Sequence, residues 1–154
     1  MSALVEIDRS DLAHCQDSLK ALYNGGEGPS LDFLIALLEQ PGTCVWGITQ
    51  RDEIVAAAWF RVVLDEAELV DIRVSYGVRR MGIGRRLLTQ TLRCLGGEGV
   101  TCCHLEVRRS NVPALALYQQ MGFEVTGERA NYYRVQEGVE DAILMRCHLE
   151  QSER

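Results

Sequence analysis

No apolar run in these 154 residues is long enough to span a bilayer. The N-terminus shows no basic stretch followed by an apolar one, so nothing reads as a secretory leader, and the expected compartment is the cytoplasm. The six cysteines, Cys15, Cys44, Cys94, Cys102, Cys103 and Cys147, contain no Cys-x-x-Cys pair, so no metal is expected. Cys102-Cys103-His104 comes nearest to a ligand set, but neighbours on a strand point to opposite faces. The thiols read as small buried or half-buried side chains in a reducing compartment. Repeats and low-complexity tracts are absent. Gly82-Ile83-Gly84 lacks the third glycine of the dinucleotide fingerprint, and a Gly-Lys-Ser/Thr phosphate loop is missing as well.

The length fits one domain with its own core. A content of 47% hydrophobic and 25% charged residues is that of a globular protein in water. The net charge is −6, yet four arginines crowd into residues 79–86. One basic spot on an acidic chain suits a small anionic ligand and argues against nucleic acid, which needs an extended basic face. The acidic remainder favours a basic protein or peptide as partner.

The element order is legible. Residues 3–7 read as a strand, and Asp8, Ser10 or Asp11 caps a helix running to about Leu22. After a loop at 24–29, Ser30 caps a second helix that Pro41-Gly42 ends. The runs 43–49, 54–64 and 68–75 form an antiparallel meander. A helix from Ile83, with Leu87, Leu88, Leu92 and Leu95 at helical spacing, stops at Gly96-Gly97. The strand 101–108 that follows implies a parallel pair through a right-handed crossover. Ser110 or Asn111 caps a helix to Met121, which Gly122 stops. Strands 123–129 and 142–149 finish the sheet, joined by a long polar loop, and 150–154 read as a frayed tail. The fold class is α/β: a mixed, mostly antiparallel sheet of about seven strands with about four helices.

The chemistry centres on Arg79-Arg80-Met81-Gly82-Ile83-Gly84-Arg85-Arg86, where a strand hands over to a helix start. The first N–H groups of a helix lack internal partners, and its dipole makes that end partly positive. Glycines let a phosphate approach the backbone, so the stretch reads as a pyrophosphate cradle. The plainer alternative is a helix start packed on glycine, with a solvated basic face.

The Arg79-x-x-Gly82-x-Gly84 pattern resembles the acetyl-CoA pyrophosphate motif of the GNAT acyltransferase superfamily. A second block resembles the ribosomal-protein alanine N-acetyltransferase branch of that superfamily. It comprises Leu105-Glu106-Val107-Arg108-Arg109-Ser110-Asn111, Ala114-Leu115-Ala116-Leu117-Tyr118, Gly122-Phe123, Asn131-Tyr132-Tyr133 and Glu140-Asp141-Ala142-Ile143-Leu144-Met145. The likeness is dense from about Leu69 onward; before that it is one of layout. It implies a GNAT fold and direct acetyl transfer from acetyl-CoA to an α-amino group. The implied acceptor is the N-terminal alanine of small-subunit ribosomal protein 18.

By the same resemblance Arg80, Met81, Gly82, Ile83, Gly84 and Arg85 bind the diphosphate. The backbone of Ile72, Arg73 and Val74 lines the pantetheine arm, and Asn111 touches the cofactor. Glu106 is the general base, Tyr118 the general acid, and Asn131, Tyr132 and Tyr133 grip the substrate. Each has a plainer reading: Glu106 facing water or paired with Arg108, Asn111 as a helix cap, Tyr118 as core. Arg73 stands where the superfamily carries a small residue. Glu68 and Asp71 are rival bases, and the bland reading of Asp71 is an ion pair with Arg73.

Chemistry allows the assignment. An α-amino group with a pKa of about 8 is roughly one-tenth neutral at pH 7, whereas a lysine amine at about 10.4 is neutral less than about one part in a thousand. An N-terminal substrate therefore asks little of its base. The alternatives are acetylation of a small-molecule amine or lysine and, from another class, an acyl-CoA-binding module without turnover.

Overall fold

The computed structural model describes residues 2–26, 28–135 and 138–151. Twelve elements follow in order: β1 (Ser2–Ile7), α1 (Leu12–Leu22), α2 (Leu31–Leu37), β2 (Thr43–Gln50), β3 (Glu53–Val63), β4 (Glu66–Val74), a short 3-10 turn (Tyr76–Val78), α3 (Ile83–Gly97), β5 (Cys102–Arg108), α4 (Val112–Gln120), β6 (Glu124–Val135) and β7 (Gly138–His148). The seven strands form one sheet in the order β1-β2-β3-β4-β5-β7-β6. Neighbours run antiparallel except β4 and β5, the parallel pair joined through α3.

Each face of the sheet buries its own cluster. Leu87, Leu88 and Leu95 of α3 pack with Phe60, Leu105 and Met145 on one face. Leu19 and Leu34, from α1 and α2, pack with Val45 and Trp59 on the other. Local signals set the helix starts: the Ser30 hydroxyl accepts from the Phe33 N–H at 3.2 Å, and the Asn111 carboxamide accepts from the Ala114 N–H at 3.3 Å. The β2–β3 turn is built from Arg51 and Asp52, both at positive φ, as a tight two-residue hairpin turn requires.

Three expectations are corrected. The first concerns the end of α3. Gly96 and Gly97 lie inside the helix, and the left-handed residue is Gly99, at φ +98°. Gly99 N–H donates to the Gly96 carbonyl and Val100 N–H to the Leu95 carbonyl, the paired bonds of a Schellman stop. Gly96 is needed for another reason: a β-carbon there would overlap the Glu150 carbonyl oxygen.

The second concerns the tail. The Leu149 N–H donates to the Thr101 carbonyl at 2.8 Å, and the Gln151 side chain donates to the Val100 carbonyl at 2.8 Å, so the chain is tied down through Gln151. The remainder of the expected frayed segment, 152–154, lies outside the described residues.

The third concerns the last two strands. In place of a long polar loop, β6 and β7 extend toward each other as a hairpin, and Asn131-Tyr132-Tyr133 lie within β6. The register breaks between Arg129 and Tyr133, with Asn131 at φ +56°, so the strand bulges there. β6 is an edge strand, so polar side chains are tolerated along it and no alternation of apolar residues marks it.

Helix propensity alone predicts that Gly96→Ala gains about 0.5–1 kcal/mol. We expect a net loss in thermal unfolding instead, because the added carbon must displace backbone rather than a flexible side chain. A raised Tm would show that the tail does not seat on α3.

Candidate active site

The site begins at a fault in the sheet. β4 and β5 pair over only three positions: Glu66 with Cys102, Ala67 with Cys103, and Glu68 with His104. Beyond them β4 stays bonded to β3 as far as Val74, and β5 stays bonded to β7 as far as Arg108. The two strands therefore part, and a wedge-shaped gap opens between Ile72, Arg73 and Val74 on one side and Glu106 on the other. A bulge helps to open it. Trp59 pairs with Asp71 and Phe60 with Leu69, which leaves Val70 as the extra residue.

At the open end of β4 stands the N-terminus of α3. Arg80 and Gly82 take left-handed backbone, at φ +66° and +76°. The first bond of the helix runs from the Arg86 N–H to the Gly82 carbonyl at 3.0 Å, so the N–H groups of Ile83, Gly84 and Arg85 precede the ladder. A β-carbon at Gly84 would lie 3.4 Å from Val74 Cγ2, an ordinary contact distance, so the helix start packs close against β4.

The structure sorts the four arginines. Arg79 donates to the Val74 carbonyl at 3.2 Å and lies over the Tyr76 ring, while Arg86 binds the hydroxyl and carbonyl of Ser2. These two are anchors of the turn. Arg80, Met81 and Arg85 are exposed around it.

On the other wall, Glu106 is 27% exposed, shielded yet reachable. It pairs with Arg129 of β6, at 3.2 Å, a partner not weighed from the sequence. The Arg129 guanidinium also lies over the Tyr132 ring, 5.3 Å from its centroid. Tyr133 is raised above the ordinary tyrosine range by burial first and by the Glu106 charge second. The β6 bulge thus brings Asn131, Tyr132 and Tyr133 to the same corner as Glu106, with the Asn131 N–H held by Asp141 at 2.9 Å. Sequence reading missed Arg129, because it reaches Glu106 only diagonally across β7: Ala142 stands between Arg129 and Arg108, and Leu144 between Gly127 and Glu106.

Tyr118 is buried on α4 and locked from below. Gly122, at φ +95°, closes a Schellman stop in which the Phe123 N–H bonds the Tyr118 carbonyl at 2.9 Å. The two rings then pack at 5.7 Å. Burial pushes the Tyr118 hydroxyl well above the tyrosine range, with smaller upward contributions from Asp71 and Cys103 and a further one from Tyr133. Those three groups belong to β4, β5 and β6, so the hydroxyl is within electrostatic range of both walls of the gap. Asn111 caps α4, as its plainer reading held.

Asp71, the rival base, is bound up in structure. Its carboxylate accepts from the Tyr23 hydroxyl at 2.7 Å, and that hydroxyl accepts from the Trp59 indole at 2.8 Å. Arg73 stacks on the Tyr23 ring at 4.4 Å and donates to the Gly25 carbonyl at 2.9 Å. The residue that looked out of place for the cleft thus fastens the α1–α2 loop to β4. Glu68 lines a cavity of about 530 Å³ that also includes Glu66, His104, Glu106 and Arg129. A smaller hollow of about 330 Å³, under Val112 and Leu115, includes neither Glu106 nor the α3 start.

A helix start with unpaired leading N–H groups, a half-shielded carboxylate and a buried phenol lie around the parted strands, and an acyl-transfer site would use such parts. The model of the acetyltransferase (GNAT) family matches residues 11–123, and the chain belongs to that family. Over 98 residues, 64% of the chain, it is 45% identical to the [ribosomal protein bS18]-alanine N-acetyltransferase of Escherichia coli K12; the matched part spans 66% of that relative's length. The crystal structure of the ribosomal-protein-S18-alanine N-acetyltransferase from Escherichia coli superposes with a TM-score of 0.87 at 32% identity, covering 100% of this chain and 97% of that one. A GNAT family acetyltransferase from Elizabethkingia anophelis, solved with acetyl-CoA bound, shares the fold: TM-score 0.78, 19% identity, 96% of this chain and 98% of that one.

Burial holds the Asp71 carboxyl above its ordinary 3.8, outweighing the Tyr23 hydrogen bond and the Arg73 charge, which pull it down. The folded chain therefore binds this proton more tightly than the unfolded chain. The stability so gained is complete below about pH 4 and is lost as pH rises through the raised value. Asp71→Asn removes the titration, so its stability relative to the unsubstituted protein should improve as pH rises from about 4 through the raised value in urea unfolding. A difference that stays constant over that range would contradict the buried charge.

Proposed function

We propose that the chain transfers the acetyl group of acetyl-CoA to the α-amino group of a ribosomal protein, with Glu106 as base and Tyr118 as acid. The support for the acceptor is the name of the relatives above. The observation that carries the mechanism is the parting of β4 from β5, with the α3 N-terminus at one end and Glu106 and Tyr118 on either side.

In this reading the diphosphate of the co-substrate sits on the N–H groups of residues 80–85, and the thioester arm follows the unpaired edge of Ile72-Arg73-Val74. Backbone donors serve there whatever side chain stands at 73, and Arg73 is already turned to Tyr23. Asn111 presents its backbone end of α4 to the same arm. The acceptor enters the cavity beside Glu106. Asp65, Glu66, Glu68 and Glu106 outnumber Arg61 and Arg129 on its lining, which favours a positively charged peptide terminus. Tyr132 and Tyr133 flank that entry.

Glu106 accepts the proton of the attacking amine, through one water. The nitrogen bonds to the carbonyl carbon, the carbon–sulfur bond breaks, and the sulfur takes the Tyr118 proton. Burial keeps the Tyr118 hydroxyl protonated at neutral pH, so the proton is there for the departing sulfur. No acyl-enzyme forms.

Glu106→Gln and Tyr118→Phe should each lower kcat by about 10²–10⁴-fold while the calorimetric Kd for acetyl-CoA stays nearly constant. Unchanged turnover in both would leave a binding module in place of an enzyme. Peptides with an N-terminal alanine should outrun lysine analogues at about pH 7, where roughly one-tenth of the α-amine and less than about one part in a thousand of the lysine amine is neutral, and the ratio should narrow above about pH 8. Equal rates at about pH 7 would favour the small-molecule or lysine acceptor. Mass spectrometry of ribosomal-protein N-termini from cells with and without the chain identifies the acceptor.

A further inference from the structure

Three ligand-type side chains meet where β4 and β5 pair. Glu66 is the register partner of Cys102 across the parallel ladder, and His104 stands two residues further along β5, on the same face. The Cys102 Sγ to Glu66 Oε1, Cys102 Sγ to His104 Nε2 and His104 Nε2 to Glu66 Oε1 separations are all 3.3 Å. The expectation that Cys102-Cys103-His104 cannot share an ion holds for adjacent residues. It overlooked that the first and third share a face and that the parallel partner strand supplies a carboxylate.

We propose that Glu66, Cys102 and His104 form a binding site for a divalent transition-metal ion of the zinc class, with solvent as the fourth ligand. Bonds of about 2.0–2.3 Å at tetrahedral angles set ligand atoms about 3.4–3.6 Å apart, within a few tenths of an ångström of the observed triangle. One sulfur, one imidazole nitrogen and one carboxylate oxygen suit zinc or cobalt(II) and not magnesium or calcium, which want oxygen alone. The site is preformed, because strand register fixes two of the three backbone positions. It is also reachable: Cys102 is buried, but the side chains of His104 and Glu66 are 40% and 58% exposed.

Binding displaces the Cys102 thiol proton to solvent, one per ion. Because thiol and imidazole must be deprotonated to bind, affinity falls as pH falls. Arg146, the register partner of His104 on β7, places positive charge nearby and opposes the ion. An ion here bridges β4 and β5 at the three pairs that hold the halves of the sheet together. It lies two residues from Glu106 along β5, in the floor of the proposed acceptor cavity. The site rests on its own geometry, so it stands or falls apart from the transfer chemistry.

The test is cobalt(II) titration of the full chelator-treated chain, followed by absorption. We expect one ion per chain and a thiolate-to-cobalt charge-transfer band that zinc displaces. The band should vanish in Cys102→Ser, and binding should weaken in His104→Ala, in Glu66→Gln at an exposed position, and rise in Arg146→Ala. Circular dichroism confirms that each variant is folded. Glu106→Gln should leave the band intact even where kcat falls. Absence of a charge-transfer band at one equivalent, or a band of full strength in Cys102→Ser, would overturn the proposal.

Discussion

The site exists because two strands that begin as a parallel pair do not remain one. Three register positions join β4 to β5, and past them each strand keeps its bonds to its outer neighbour alone. A β-strand edge left without a partner presents N–H and C=O groups that must find hydrogen bonds elsewhere, and an extended ligand arm could supply them. The same parting lets a helix and a buried phenol reach the gap from one face, while a carboxylate looks in from the other strand. Most of what gives this chain a use is assembled around that missing stretch of ladder.

Holding the gap open requires rigid flanks, and the molecule provides them in two ways. On β4 the extra residue Val70 shifts the strand, so that Leu69 and Ile72, three apart, pack into one cluster while Val70 faces the other. Asp71 then falls beside Tyr23 and Trp59, and their linked hydrogen bonds hold a buried carboxylate in place. On the far side, Arg129 spans Glu106 and the Tyr132 ring, tying the β6 bulge to the strand that carries the proposed base. Neither flank reaches the chemistry directly; each fixes the position of what does.

Much of this could be read from residues alone. Gly82, Gly84 and the arginines around them announce a helix start fit for an anion, and the Gly122-Phe123 corner announces the end of α4 beneath Tyr118. These are local devices, each settled within five or six residues by backbone sterics and orphan hydrogen bonds. The β6–β7 hairpin escaped notice because an exposed edge strand carries no apolar period. The α3 stop was misplaced because three glycines compete for it. Gly96 and Gly97 are nearer the apolar repeat, but Gly99 satisfies the Schellman bonds, and the fit of Gly96 against Glu150 shows only once the tail is docked.

The sequence by itself determined the alternation of elements, the parallel crossover through α3 and the glycine-arginine helix start, and it put Glu106 and Tyr118 forward as the pair now proposed. Tertiary structure alone decided the partners: Arg129 for Glu106, Tyr23 for Asp71 and Arg73, and Glu66 for Cys102 and His104. The reason is physical. A cap, a turn or a helix stop is fixed by interactions along a few bonds of chain. Which side chain stands opposite another depends on strand register and on a single inserted residue, and those are set by packing summed over both faces of the sheet.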